Sequence, residues 1–293
     1  MKKKNEIQPT AMSDAEFQEA IKNLSKKKKG NGRYALAAFL CFVACVPLSW
    51  KLPSYEVFFV VVLALKVFIV APVLLMRGSR IQSKLNEVVA ENLTRGVLQE
   101  VFEVETYSVH DHLGRDFVNK MKLIRGWNTV GGSNYVSGKY KGRGVTFSEI
   151  FLEDNDRGEG GFCSELFEGP WIILEHGQTL PSPVWVISDK DKRKWEKSVR
   201  FSLVGANSSK VNWTMTPDFV KLLEYFHKEL PKSNYITFYE NKICIAIDCR
   251  RRLYYFTTRD LKDINGLREE YRANTKYITD ILDELIKIDS FFD

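Results

Sequence analysis

Residues 57–76 read VFFVVVLALKVFIVAPVLLM, and no other feature constrains the fold of this chain as strongly. A helix that crosses a bilayer needs about 20 mostly apolar residues, with about 17 as a lower limit. A second apolar segment, YALAAFLCFVACVPLSW, covers 34–50. The connection between them, KLPSYE, is short, and Pro53 suits a turn. Trp50 and Tyr55 bracket it, where aromatic rings favour an interface. The pattern predicts a two-helix transmembrane hairpin over 34–76. A cleaved signal peptide fits less well, because about thirty polar residues precede the first segment and no small-residue cleavage site stands out.

Lys66 sits near the middle of the second segment. On the insertion scale a central lysine costs about 2.5–3.5 kcal/mol, while each central Leu, Ile, Phe or Val returns about 0.3–0.6 kcal/mol. The stretch holds fifteen residues of those four types, so the apolar gain outweighs the charge. Neither segment contains an acid to neutralise Lys66. Two readings stay open: the lysine snorkels, or an acidic partner from another chain meets it.

The formal charge of the chain is +6, and residues 1–33 alone carry +5. Residues 77–293 are balanced at zero, which argues against a nucleic-acid partner for the large C-terminal part. Lys26, Lys27, Lys28 and Lys29 form the densest run and are candidate contacts to anionic membrane lipid. Lysine and arginine flank both ends of the apolar pair, whereas the connection carries only Lys51. By the positive-inside rule both termini are then cytoplasmic. Five cysteines without framework spacing agree with a reducing compartment.

The rest of the chain divides by pattern. A basic segment, 1–33, contains a short helix opened by a Ser13/Glu16 capping box and broken by Gly-Asn-Gly at 30–32. After the hairpin, Ile81, Leu85, Val89, Leu93, Val97 and Val101 recur every four residues, predicting an amphipathic helix within a membrane-proximal segment, 77–106. Residues 107–260 are strand-rich. YVSGKYKGRGVTFSEIFLE reads as two strands about a glycine turn, followed by SELFEGPWIILE, PVWVISD, SVRFSLV and KVNWTM. A helix opens at Thr216-Pro217, and NYITFYENKICIAIDCRRRLYYFTT closes the region as two or three antiparallel strands. Residues 261–293 form a long C-terminal amphipathic helix. The fold class is α+β: the N-terminal hairpin, then a cytoplasmic antiparallel-sheet domain with flanking helices.

That last helix carries the strongest periodic signal outside the apolar pair. Leu267, Tyr271, Asn274, Ile278, Ile281 and Leu285 follow one another in steps of four and three, the spacing of a helix seam. Tyr271, Asn274, Ile278, Ile281, Leu285 and Lys66 are the candidate partner-contacting residues, for another protein or a second copy. A single Asn in an apolar seam can specify register. The same seam would equally serve to pack the helix on its own domain.

Catalytic motifs are weak. In GGSNYVSGKY five residues, not four, separate Gly132 from Gly138, and Tyr140 follows Lys139, so a phosphate loop is excluded. His110 and His112 lack a third metal ligand nearby. Cys163, Cys244 and Cys249 have no activating base in sequence reach. Glu153 with Asp154 reads as a loop edge rather than an acid–base pair, and the arginines at 250–252 as a polar turn. No catalytic, metal or cofactor site is expected, and none of the patterns indicates an enzyme.

NYVSGKYKGRGVTFSEIFLE, ELFEGPWIILE and FVKLLEYFHKELPKSNYITFYENKICIAI resemble the domain of unknown function 3137 family of bacterial proteins, through Gly138, Phe147, Ser148, Glu149, Phe167 and Gly169. The resemblance implies an N-terminal membrane hairpin with a cytoplasmic α+β domain in a bacterial cell membrane, and transfers no catalytic residue. Taken together, these readings lead to the expectation of a membrane-anchored, non-enzymatic protein-interaction module, with a sensory domain for a ligand or lipid headgroup as the alternative.

Overall fold

The computed structural model describes residues 12–49, 73–74, 76–155, 164–177, 184–189, 200–205, 217–230 and 234–288. The chain forms two compact units, Met1–Arg95 and Gly96–Asp293.

The first unit is an antiparallel helical pair. Helix α1 (Asp14–Ser49) begins at the expected capping box: the Ser13 backbone N–H donates to Glu16 Oε2 at 2.9 Å, and the Glu16 N–H returns a 3.4 Å bond to Ser13 Oγ. Helix α2 spans 76–89 and continues through a π-helical turn, Ala90–Thr94. The Met12 N–H reaches Asn92 Oδ1 at 3.0 Å, and Lys28 Nζ reaches Gln82 Oε1 at 2.5 Å. These contacts run the helices in opposite directions. Phe17 and Ile21 on α1, and Leu85 and Val89 on α2, lie on the stretches so opposed, and all four are buried.

The expected break at 30–32 is not there. Helix α1 passes through Gly30, Asn31 and Gly32, since two glycines cost only about 1 kcal/mol each in a helix this long. A Cβ at Gly30 or Gly32 would meet nothing within 4 Å. Gly30→Ala with Gly32→Ala therefore raises stability by about 1–2 kcal/mol, read as a higher melting temperature by circular dichroism at 222 nm.

Among the described residues, no helix is long and apolar enough to cross a membrane. The expected two-span transmembrane hairpin over 34–76, with both termini cytoplasmic in a bacterial cell membrane, is corrected on that finding. Helix α1 is long, but its first part carries Lys22, Lys26, Lys27, Lys28, Lys29 and Arg33. Its described apolar part is 34–49. The second expected span, Lys66 included, lies almost wholly outside the described residues.

Short helix α3 (Arg95–Gln99) leads into the second unit, an α+β fold on one eight-stranded sheet with every neighbouring pair antiparallel. The strands are β1 (Glu103–Ser108), β2 (Thr129–Tyr140), β3 (Arg143–Asp154), β4 (Ser164–Glu175), β5 (Val184–Asp189), β6 (Arg200–Gly205), β7 (Asn234–Tyr239) and β8 (Lys242–Ile247), in spatial order β1-β2-β3-β4-β8-β7-β5-β6. Between them come α4 (Arg115–Met121) and α5 (Pro217–Glu229), and α6 (Ile264–Ile288) closes the described chain. The β2–β3 hairpin turns on Lys141 and Gly142, with φ of 50° and 78°, the left-handed pair that a two-residue turn between twisted strands favours.

The sheet has two covered faces. On one, Phe147 stacks at 5.8 Å on Phe102 and 6.4 Å on Tyr254, and Tyr254 meets Tyr271 of α6 edge-on at 5.4 Å. On the other, Ile150, Leu152, Phe167, Trp171, Ile173, Cys244 and Ala246 pack with Leu113, Val118 and Met121, from α4 and the chain before it. Two strands of the core sheet thus use alternate residues for alternate faces, as the pleat requires.

One boundary differs from expectation. The helix expected within 77–106 ends at Gln99, and β1 begins at Glu103, because Phe102 turns inward onto Tyr140 and Phe147. The closing region forms two antiparallel strands, β7 and β8, of the two or three expected, and 248–259 is irregular until a 3-10 turn, Asp260–Lys262. Gly138 and Gly169 lie within β2 and β4, where a Cβ would collide with the carbonyl oxygens of Glu103 and Ile247, and Gly138 pairs with Val104 at a bulge of β1. The expected strand KVNWTM lies outside the described residues, as does all but Asn155 of the turn-rich NDRGEGG at 155–161.

Candidate functional site

The seam of α6 faces inward. Leu267, Tyr271, Asn274, Ile278, Ile281 and Leu285 are all buried. The Asn274 side-chain amide donates to the Leu253 carbonyl at 2.6 Å, so its polar group holds the loop after β8. The Thr275 hydroxyl lies 2.9 Å from the Tyr254 hydroxyl and donates to the Tyr271 carbonyl. As placed, the candidate partner-contacting residues of α6 hold the domain together.

Beneath that loop lies Glu149, a carboxylate on β3 with 2% exposure. Four donors converge on it: the backbone N–H groups of Leu253 and Tyr254 (2.9 Å for the latter), the Asn134 amide at 2.6 Å and the Ser133 hydroxyl at 3.2 Å. A bulge in β2 between Ser133 and Val136, with Asn134 left-handed at φ 54°, aims Asn134 at the carboxylate. Tyr107 on β1 donates to the same Asn134 through its side-chain oxygen at 3.0 Å. Burial pushes the Glu149 pKa up, and the four donors pull against that shift. Every acceptor direction of the carboxylate is directed at the fold itself. The sequence points to Glu149 only through the family resemblance; the available signal was an acid flanked by Phe147, Ile150, Phe151 and Leu152 in the middle of a strand.

Other chemically suggestive residues are used in the same way. Arg250 pairs with Asp248 at 3.0 Å and bonds the Glu165 carbonyl at 2.9 Å, and Arg252 pairs with Glu168 at 3.0 Å. These two arginines pin the 248–252 turn to β4. Burial raises the Cys244 thiol to about 12 and the Cys249 thiol to about 11, far from the thiolate range that nucleophilic chemistry needs. Among the described residues no group of three or more His, Cys, Asp or Glu is placed to hold a metal. A cleft of about 390 Å³ between α5, α6 and the β2–β3 turn is lined by Lys141, Tyr225, Asp280, Asp283, Glu284 and Lys287, among others. Its charges are matched internally, with Lys141 on Asp283 at 2.6 Å and Lys287 on Glu284 at 2.5 Å.

His176 is 5% exposed, and burial, with Arg143 nearby, holds its pKa below the usual 6.5. A histidine that resists protonation when folded binds its proton more readily when unfolded. Its contribution is therefore present above about pH 6.5 and is lost as pH falls below that value. Denaturant midpoints should drop between pH 7 and pH 5, and His176→Phe should flatten that part of the profile.

The densest positive charge lies on the helical pair. Lys22, Lys26, Lys27, Lys29 and Arg33 of α1, and Arg77, Arg80 and Lys84 of α2, are exposed, with Lys28 partly so. No acid occurs between 20 and 49 of α1 or between 76 and 86 of α2. The Lys28–Gln82 contact brings the two basic stretches to one level. Beyond them the character changes at once: Tyr34 is 68% exposed, Leu36 59%, Leu40 57% and Met76 57%. From Lys28–Gln82, the same rise per residue brings 33–34 of α1 beside 76–77 of α2. Both helices thus pass from basic to apolar at a common level. Against this geometry, comparison with known proteins adds no identity: no family model, curated protein or solved structure matches the chain.

Proposed function

We propose that this chain is a non-enzymatic interaction module whose docking element is the helical pair, and that it docks on an anionic partner. The observation that carries the reading is the belt of nine cations without an acid, on stretches of two helices that face each other at Lys28 and Gln82. The ionisable groups of the sheet unit support it from the other side. Glu149, Arg250, Arg252, Asp248 and Asp283 are engaged in holding turns and helices. The buried seam of α6 leaves the helical pair as the better candidate for partner contact.

The test is a comparison of neutralised surfaces. Lys26→Gln/Lys27→Gln/Lys29→Gln should weaken binding to immobilised polyglutamate and to anionic vesicles and reduce its salt dependence. Neutralising three exposed cations of the sheet unit, Arg125, Lys139 and Lys262, should leave both nearly unchanged. Equal losses from the two triple variants would reduce the belt to general positive charge.

A further inference from the structure

Resting on the reading of the belt as an anion-docking element, we infer that its partner is an anionic phospholipid surface, met by the belt at the headgroups and by the adjoining apolar residues just beneath them. Three features select a lipid surface over other polyanions. The first is the shape of the belt. Lys26, Lys27, Lys28 and Lys29 are successive residues of one helix, set about 100° apart. They surround α1, and Arg77, Arg80 and Lys84 add the neighbouring helix. A protein partner contacts one face of such a pair. A plane of phosphates lying across the helix axes meets Lys26, Lys27, Lys28 and Lys29 together, since they span only about 4.5 Å of the axis.

The second feature is the abrupt change of chemistry at that plane. Arg33 is followed by Tyr34, and Met76 is followed by Arg77. The apolar side carries Tyr34, Leu36, Leu40, Val73 and Met76, each between 39% and 68% exposed. Duplex nucleic acid would satisfy the cations and leave these side chains in water. Phosphates with acyl chains behind them satisfy both. The third feature is Tyr34 at the junction, a residue type that prefers the headgroup level, with its ring toward the chains and its hydroxyl toward water. The inference concerns attachment at a lipid surface and invokes no span.

Each basic residue near an anionic lipid surface strengthens binding by roughly a factor of five. The experiment is flotation of the full chain with vesicles of phosphatidylcholine alone and with about one third phosphatidylglycerol, at two salt concentrations. Binding is expected on the mixed vesicles only, weakening with salt. Lys26→Gln/Lys27→Gln/Lys29→Gln should weaken it roughly 100-fold. Leu36→Ser/Leu40→Ser should weaken it while leaving retention on polyglutamate intact. Retention on polyglutamate or duplex DNA without flotation on mixed vesicles would overturn the lipid inference and leave the anion-docking reading standing. Equal binding to the two vesicle types would overturn the role of the belt in choosing lipid, and binding to none of these probes would overturn both readings. Circular dichroism of each variant, with all substitutions at exposed positions, confirms that helicity is retained.

Discussion

Glu149→Ala is expected to destabilise the sheet unit by about 3 kcal/mol or more, because each buried donor left without a partner costs about 1–3 kcal/mol. The substitution strands the N–H groups of Leu253 and Tyr254 and frees Asn134. The loop after β8 then loses its anchor to β3, and with it the seat that positions Asn274 and Thr275 of α6. Glu149→Gln should cost less, since one amide oxygen still accepts while the amide nitrogen faces donors. The pH dependence has a definite sign. Burial raises the folded pKa of Glu149 above its ordinary 4.5. Its share of stability is therefore greatest at acid pH and declines as pH rises from about 4.5 through the folded value. Urea midpoints measured from pH 4 upward would show this slope, and Glu149→Gln should remove it. An Ala variant as stable as the parent would mean that Glu149 does not anchor the 253–254 loop.

Ile281→Asp should be worse. Ile281 is 2% exposed in the middle of the α6 seam, with Ile278, Leu282 and Leu285 buried beside it. Burying a carboxylate there without a partner costs several kcal/mol, a large part of the about 5–15 kcal/mol that holds a typical domain folded. The expected result is loss of the cooperative thermal transition by circular dichroism. Ala273→Asp, on the exposed face of the same helix, should change the midpoint little. If Ile281→Asp stays folded and instead changes the mass by light scattering, the seam joins two chains rather than one domain.

Much of the sheet unit was legible from local pattern. The spans of β3, β4 and β8, the second half of β2, the start of α5 at Pro217 and the seam of α6 all follow from alternation, turn residues and helical spacing. These signals are local, because the strand pleat and the helix pitch repeat within a few residues. Helix α4 was missed because its seven residues, Arg115–Met121, are too few to show a period. Helix α1 was cut too early because a glycine pair penalises a helix without forbidding one.

What the amino-acid sequence determined by itself is the set of periodic elements, the concentration of positive charge in the N-terminal third and the apolar stretch that follows it. Tertiary structure decided three things that no window of sequence contains. It turned the α6 seam inward, because the sheet offered Tyr254 and the 253–254 loop as a surface to cover. It made Glu149 a structural hub, because the four donors that satisfy the carboxylate come from β2 and from a loop about a hundred residues further on. It also joined two basic stretches more than forty residues apart into one belt with a common apolar border. In each case the deciding energy is that of groups meeting across space, and the chain alone does not say which groups will meet.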